Sequence, residues 1–383
     1  MAVPLLDIAN HNRPYFLKMK ETLSQWLESG QYIGGEHVTG FENEVSELLE
    51  VKDTIAVSSG TDALLLALMA LGIKTGDEVI CPSFTFFATG GVVHRLGAIP
   101  VFADMLPESF NIDPRDVEAK ITSKTKAIIP VHIFGQMVDM EAISSITEKH
   151  KIPIIEDAAQ AIGATQNGKR AGSIGDYGSF SLYPTKNFSA FGDAGFLTTQ
   201  SEELAKHARI LRIHGMDPIY YHSEVGGNFR FDPIQGALLR IKLPDIDSQN
   251  LKRDENAKFY QKKLGNHSEV SVGYSEGSDA RITLPTTDEG NQHVWHQFTI
   301  RVHGEGEREQ LMGWLRERQI GCGIYYPLGL HDQECFKSVT EGKPPLPVTE
   351  KACKEVLSIP IFPELTENQL SEVSDAILGY LDN

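Results

Sequence analysis

The sequence predicts an α/β protein whose large domain has a mostly parallel central sheet flanked by helices, followed by a smaller α+β C-terminal domain. Three observations carry this. From Thr54 to about Gln200, short β-branched runs alternate with segments of helical period, the pattern of strands joined by crossover helices. The 383 residues exceed what one hydrophobic core usually serves, so two domains are expected. Beyond that stretch the alternation stops, with strand runs near 281–284 and 295–302 and helical runs near 307–319 and 367–381.

Taken in order, residues 14–29 read as an amphipathic helix stopped by Gly30, glycine being the usual residue just past a helix end. Gly34-Gly35 breaks the chain, and a helix resumes over 41–49. Strands are expected at 78–81, 99–103, 126–131 and 153–156, with helices at 61–71, 88–96, 114–120 and 140–150. Runs 179–183 and 195–199 read as further strands, and helical signals fill 201–213 and 233–264. A long charged helix near 251–264 connects the parts, which places the domains at 1–250 and 251–383.

Composition narrows the function. Apolar residues are 41% and charged residues 23%, values of an ordinary globular chain. The net charge of −17, from 35 basic and 52 acidic residues, argues against nucleic acid and anionic membranes as partners. An anionic ligand must then be held by local donors. Cys81, Cys322, Cys335 and Cys353 show no C-x-x-C spacing, so neither a disulfide framework nor a metal site is expected. The N-terminus has no basic region leading into an apolar core, and no apolar run approaches the roughly 20 residues of a membrane span. A cytoplasmic protein is expected.

Lys186 stands out because it follows a Gly, Ser and aromatic stretch, 175–183. A desolvated lysine has a lowered pKa and becomes a nucleophile able to form an imine with an aldehyde. Upstream, the apolar run 152–155 ends in Glu156-Asp157-Ala158-Ala159-Gln160, and the carboxyl end of a parallel strand is where α/β sheets place ligands. Asp157 there reads either as a helix cap or surface carboxylate, or as the partner of a pyridine nitrogen that turns the ring into an electron sink. Ser58-Ser59-Gly60-Thr61-Asp62 joins a strand-like run to an Ala/Leu-rich helix. Alone it is a helix cap, but a helix N-terminus also suits a phosphate. No Walker loop and no early G-x-G-x-x-G is present. Phe84, Phe86 and Phe87 follow another strand end, as core residues or as a face for a heteroaromatic ring.

Together these segments resemble the DegT/DnrJ/EryC1/StrS family of nucleotide-sugar aminotransferases, within the fold-type I pyridoxal-phosphate (PLP) enzymes. The specific matches are Ser59-Gly60-Thr61-Asp62-Ala63-Leu64, Glu156 to Gln160, and Ser181 to Lys186 followed by Gly192-Asp193-Ala194-Gly195. The resemblance implies pyridoxal 5′-phosphate as cofactor, with pyridoxamine 5′-phosphate as its alternate form. It implies that Lys186 bonds the cofactor covalently and later shuttles a proton, and that Asp157 pairs with the ring N–H. Gln160 then bonds the phenolic oxygen, Phe86 stacks on the ring, and Gly60, Thr61 and Ser181 hold the phosphate. Residues 226–232 resemble the segment donated across a homodimer interface with shared active sites. Asn228 would reach the partner's cofactor phosphate, and Arg230 would lie near the nucleotide-sugar or else form a salt bridge with Asp232 or a neighbour. Tyr326 and His331 resemble sugar-contacting residues, and Tyr325 stands where some uronate-processing relatives have His, which argues against a uronic acid substrate.

The implied reaction takes an amino group from glutamate, which leaves as 2-oxoglutarate, and gives it to a nucleotide-linked keto-sugar. A 3-oxo sugar, UDP-linked and N-acetylated, fits best, for a lipid A, lipopolysaccharide or other glycan. A 4-oxo sugar is the nearest rival. Family dehydratases carry His in place of the lysine, which Lys186 argues against. A non-catalytic PLP-binding regulator is the alternative of another class.

Overall fold

Seven short strands build the large sheet: β1 (Asp53–Val57), β2 (Glu78–Pro82), β3 (Ile99–Ala103), β4 (Thr125–Ile128), β5 (Ile155–Asp157), β6 (Tyr177–Ser181) and β7 (Gly195–Thr199). The structure, a computed structural model, describes residues 2–383; the first residue of the expected 1–250 domain lies outside the described residues. Two hydrogen-bonded groups, β3-β2-β4 and β5-β6-β7-β1, are joined by parallel bridges at Ile128–Ile154 and Val131–Asp157. All neighbours are parallel up to β6, and β7 runs antiparallel to both β6 and β1. A parallel return needs a crossover, usually a helix. Residues 182–194 form none, so β7 comes back antiparallel.

Successive residues of these strands feed two different cores. Ala56, Ile80, Ile128 and Phe196 join one apolar cluster, while Ile55, Val57, Val79, Cys81, Ala127 and Leu197 join another. That is the two-residue period of a sheet covered on both faces. The helix Gly60–Ala70 is buried along most of its length because its Ala and Leu side chains fill the second cluster. A third cluster combines Val3 with residues of the C-terminal part. It surrounds a four-stranded sheet of β8 (Val270–Val272), β9 (Ile282–Leu284), β10 (Phe298–Val302) and β11 (Val356–Ile359), in that order.

Four differences from the sequence expectations have local causes. The helix expected over 41–49 begins at Glu36, because Gly35 at φ 83° already sets its first turn. The helical run 233–264 is split into Pro233–Lys242 and Ile246–Leu264 by a 3₁₀ turn at Leu243–Asp245. Pro244 sits in that turn and has no N–H to continue the ladder. Strand β11 has no counterpart in the sequence pattern: it follows the helix Pro347–Glu355 with no turn between them, so no breaker marks the change of period. The strand expected over 295–302 starts only at Phe298. Trp295 has φ 46°, a conformation rare for a bulky residue, and stacks 3.8 Å from His293. That bend carries His296 out of the sheet and toward the cavity described below.

Strands β1, β2, β5 and β6 point the same way, so their carboxyl ends open on one edge of the sheet. Among the described residues no helix is long and apolar enough to cross a membrane.

Candidate active site

At that edge lies a cavity of about 1000 Å³. Its walls include the expected Gly60, Thr61, Phe86, Asp157, Gln160, Ser181, Lys186 and Tyr326, together with Thr85, Arg253 and His296, which are not among the expected site residues.

Asp157 ends β5 and is 5% exposed. Its Oδ2 accepts from Thr89 Oγ1 at 2.8 Å, and its Oδ1 from Ala159 N–H at 3.2 Å. Burial pushes this carboxyl above its ordinary value, while the Thr89 and Ala159 bonds and the positive field of Lys186 pull it back. The neighbouring Glu156 points the other way. Fully buried, it accepts from His132 Nε2 at 2.9 Å and from the N–H groups of Gly172, Ile174 and Gly175. Val138 N–H donates to His132 Nδ1, so the ring proton lies on Nε2. Burial alone would raise the Glu156 carboxyl; the His132 and backbone bonds hold it below the usual range. The two adjacent carboxylates thus divide, one anchoring the loop over 172–175 and one facing the cavity.

Lys186 sits in a turn after β6, its backbone N–H donating to Tyr183 O at 2.8 Å. Among the described residues no hydrogen bond or ion pair engages its Nζ. Burial pushes the amine down to about 8, against the negative field of Asp157. About a tenth of these amines is neutral at pH 7, far more than of an ordinary lysine, and neutral is the state in which an amine attacks a carbonyl.

The helix Gly60–Ala70 begins at the cavity. Ser59 caps it, its Oγ accepting from Asp62 N–H at 3.0 Å. The first-turn N–H groups of Gly60 and Thr61 have no intrahelical acceptor. Ser181 lies against them: a Cβ on Gly60 would fall 2.6 Å from Ser181 Cβ. Gly195 closes the same contact from β7, where a Cβ would fall 2.5 Å from the Ser59 carbonyl carbon. The result is a cradle of backbone donors and one hydroxyl, the donor set an oxyanion takes.

Gln160 is oriented by the backbone. Phe134 N–H donates to its Oε1 at 2.6 Å, leaving Nε2 to donate to Tyr326 Oη at 3.2 Å and toward the cavity. Phe86 is 57% exposed on the cavity wall, its ring centroid 6.5 Å from that of Tyr326. Phe84 is core, packed on Phe110 and Phe134, and Phe87 stacks on Phe336.

Three expected residues are elsewhere. His331 does not line the cavity: its backbone N–H donates to Ser83 Oγ, and the same hydroxyl shares a hydrogen bond of 2.6 Å with His331 Nδ1. Asn228 and Arg230 lie on a strip that bridges Ile213 and Val57, and neither lines this cavity. Among the described residues Arg230 forms no ion pair, so the Asp232 salt bridge is not made. Thr89 and Arg253 carry no motif in the sequence; each is brought in by the end or face of a helix. His296 falls in a run whose strand pattern pointed it into a sheet.

The donors present fit pyridoxal phosphate: an unpartnered amine, a buried carboxylate and an oxyanion cradle share one cavity. The chain matches the DegT/DnrJ/EryC1/StrS aminotransferase family over residues 17–378. It is 44% identical over 380 residues to a "Pleiotropic regulatory protein" of Geobacillus stearothermophilus, covering 99% of each chain. It is 39% identical over 376 residues to a "UDP-N-acetyl-3-dehydro-alpha-D-glucosamine 3-aminotranferase" of Acidithiobacillus ferrooxidans, covering 98% of this chain and 97% of the other. Among solved structures, S. venezuelae DesV in complex with a ketimine intermediate superposes with a TM-score of 0.92 at 36% identity, over 100% of this chain and 99% of that one. With the site and these likenesses in agreement, the chain belongs to the DegT/DnrJ/EryC1/StrS aminotransferase family and is a PLP-dependent sugar aminotransferase of fold type I.

Proposed function

We propose that the protein moves an amino group from glutamate to a nucleotide-linked 3-oxo sugar, UDP-linked and N-acetylated, for a lipopolysaccharide or other glycan. The observation that carries the reaction is the Lys186 amine, unpartnered and lowered to about 8, in one cavity with buried Asp157. The sugar rests on the 39% identity to the 3-aminotransferase named above. The cofactor supplies an aldehyde and an electron-withdrawing ring. In this reading Asp157 holds the ring nitrogen protonated, Gln160 Nε2 donates to the phenolic oxygen and Phe86 covers the ring face. Gly60, Thr61 and Ser181 hold the phosphate. Lys186 Nζ, once free, takes the proton from the substrate carbon and delivers it across the same face. Tyr326 faces the sugar, and His331 acts behind it by holding Ser83.

The reading includes a cytoplasmic homodimer with shared sites and a division at 250/251, inside the helix Ile246–Leu264. Ile219, Tyr220 and Val225 are 70%, 86% and 90% exposed on the loop beside Asn228, and clustered exposed apolar side chains are a mark of interaction surfaces. A second subunit covering it would bring Asn228 and Arg230 to its own cavity.

A transamination screen over 3-oxo and 4-oxo UDP-, dTDP- and GDP-sugars tests the proposal. Turnover confined to 4-oxo sugars would move the amination to C4. The name of the 44% identical relative supports a second reading, a cofactor-binding regulator, and binding without turnover of any keto-sugar in that screen would favour it.

A further inference from the structure

The helix Ile246–Leu264 turns a buried guanidinium toward the cavity. Arg253 is 3% exposed and lines the cavity wall. Its Nη1 donates to Trp295 O at 3.1 Å and to Ile361 O at 2.7 Å. Its Nε and Nη2 donate to no protein atom, yet they are not among the sealed, unpartnered polar atoms of the molecule, so this edge is open to the cavity. Among the described residues no carboxylate pairs with Arg253. The acid whose field reaches it is Glu364, and Glu364 Oε1 is bonded to His11 Nδ1 at 2.8 Å. A buried cation without a partner is costly, and the Nε/Nη2 edge is the one that grips a planar carboxylate through two parallel bonds.

Arg253 and the reactive Lys186 line the same cavity, and the positive fields of both reach His296. Arg253 bonds the carbonyl of Trp295, and the next residue, His296, bonds Asn187 beside Lys186. Asn187 Nδ2 donates to Val294 O and Asn250 Oδ1, so its Oδ1 accepts and His296 Nδ1 carries the proton. His296 is held well below its ordinary pKa by burial and by the positive fields of Lys186 and Arg253, so it adds no charge there. The cations flank a neutral ring.

We infer that the Nε/Nη2 edge of Arg253 is a carboxylate subsite that holds the amino donor, an amino acid or its 2-oxo acid, with the reacting carbon toward Lys186. The inference rests on the aminotransferase reading with an amino-acid donor. It is separate from the phosphate cradle at Gly60 and Ser181.

The test is calorimetric binding of glutarate, glutaramide and inorganic phosphate to the PLP-loaded protein and to its Arg253→Lys variant. Lysine keeps the charge and can reach the two carbonyls, but it loses the fork. Glutarate affinity is expected to fall about tenfold or more in Arg253→Lys, with UDP affinity and melting temperature unchanged. Should that variant fail to fold, the wild-type arms still decide, since glutarate must bind more tightly than uncharged glutaramide. Equal glutarate affinity in wild type and Arg253→Lys overturns the subsite, as does wild type holding glutaramide as tightly as glutarate. Phosphate displacing glutarate at equal concentration overturns it too, by assigning the edge to phosphate. Failure of every amino acid to bleach the wild-type cofactor band would defeat the donor reading itself, whatever Arg253 binds.

Discussion

Thr89 Oγ1 donates to Asp157 Oδ2 across 2.8 Å, tying the helix Ala88–Arg95 to the end of β5. The hydroxyl is fully buried, and Thr85 Oγ1 lies 3.1 Å behind it. Burial raises Asp157, and this bond is the first of the effects that oppose it. Thr89→Val keeps the shape and removes the donor. Asp157 then rises further and spends more time protonated at neutral pH, so it pairs less well with a ring N–H. We expect kcat/KM to fall about tenfold, the scale of one lost charge-assisted bond, with cofactor affinity less affected. A pH titration of the bound cofactor's absorption in both proteins measures it; superimposable titrations would remove Thr89 from the mechanism.

The lowered amine of Lys186 has a consequence for stability. In cofactor-free protein it titrates near 8, against 10.5 for an ordinary lysine. Between those values the folded state binds fewer protons than the unfolded state, so this group's contribution to stability rises with pH through that window. Below about 8 the full cost of the buried charge is felt. Lys186→Met removes that cost. The variant is expected to be more stable than wild type at pH 7, with the gap closing as pH climbs toward 10.5. Urea denaturation of both proteins across that range is the check, and a gap independent of pH would mean the amine is not desolvated. Lys242, also lowered to about 8 by burial, titrates alike in both proteins and cancels from the comparison.

Glu156 and His132 support the site from behind. Removing the carboxylate in Glu156→Ala leaves buried N–H groups at Gly172, Ile174 and Gly175 and the His132 Nε2–H without an acceptor. Breaking such an arrangement costs about 3–5 kcal/mol. The carboxyl is held below its ordinary value when folded, so its contribution is complete above about pH 4.5 and is lost as pH falls through the lower folded value. Glu156→Ala should therefore be strongly destabilised at pH 7, and its deficit should shrink in acid. Denaturation midpoints at the two pH values decide this.

The sequence reading located strand ends well and side-chain destinations less well. The places of Asp157, Gln160, Ser181 and Lys186 on the cavity wall were legible because each ends or follows a short strand, and strand ends in a parallel sheet converge. Arg253 was not legible. On a charged helix it looks like its neighbours Lys252 and Asp254, and only the crossing of that helix over the 293–297 bend buries it. His296 was hidden because an apolar run reads as strand until a positive φ at Trp295 breaks it. His331 is held by Ser83 away from the cavity through a contact 248 residues apart in the chain, which no local pattern encodes.

The oxyanion cradle depends on two glycines, and they should differ in tolerance. A Cβ at Gly60 meets the Ser181 side chain at 2.6 Å, with Ser181 Cα at 3.0 Å. A Cβ at Gly195 meets only backbone, the Ser59 carbonyl carbon at 2.5 Å and Gly60 N at 2.6 Å. In the first case a serine side chain and its strand end shift outward. In the second, the strand β7 must part from the start of the helix Gly60–Ala70, which opens the cradle itself. Overpacking of this kind costs about 1–3 kcal/mol. Gly195→Ala is therefore expected to weaken pyridoxal phosphate binding more than Gly60→Ala, although Gly60 is the residue whose own N–H lines the cradle. Spectrophotometric titration of both cofactor-stripped variants gives the order, and a larger loss for Gly60→Ala would mean that the N–H position, not the strand-helix contact, controls the cradle.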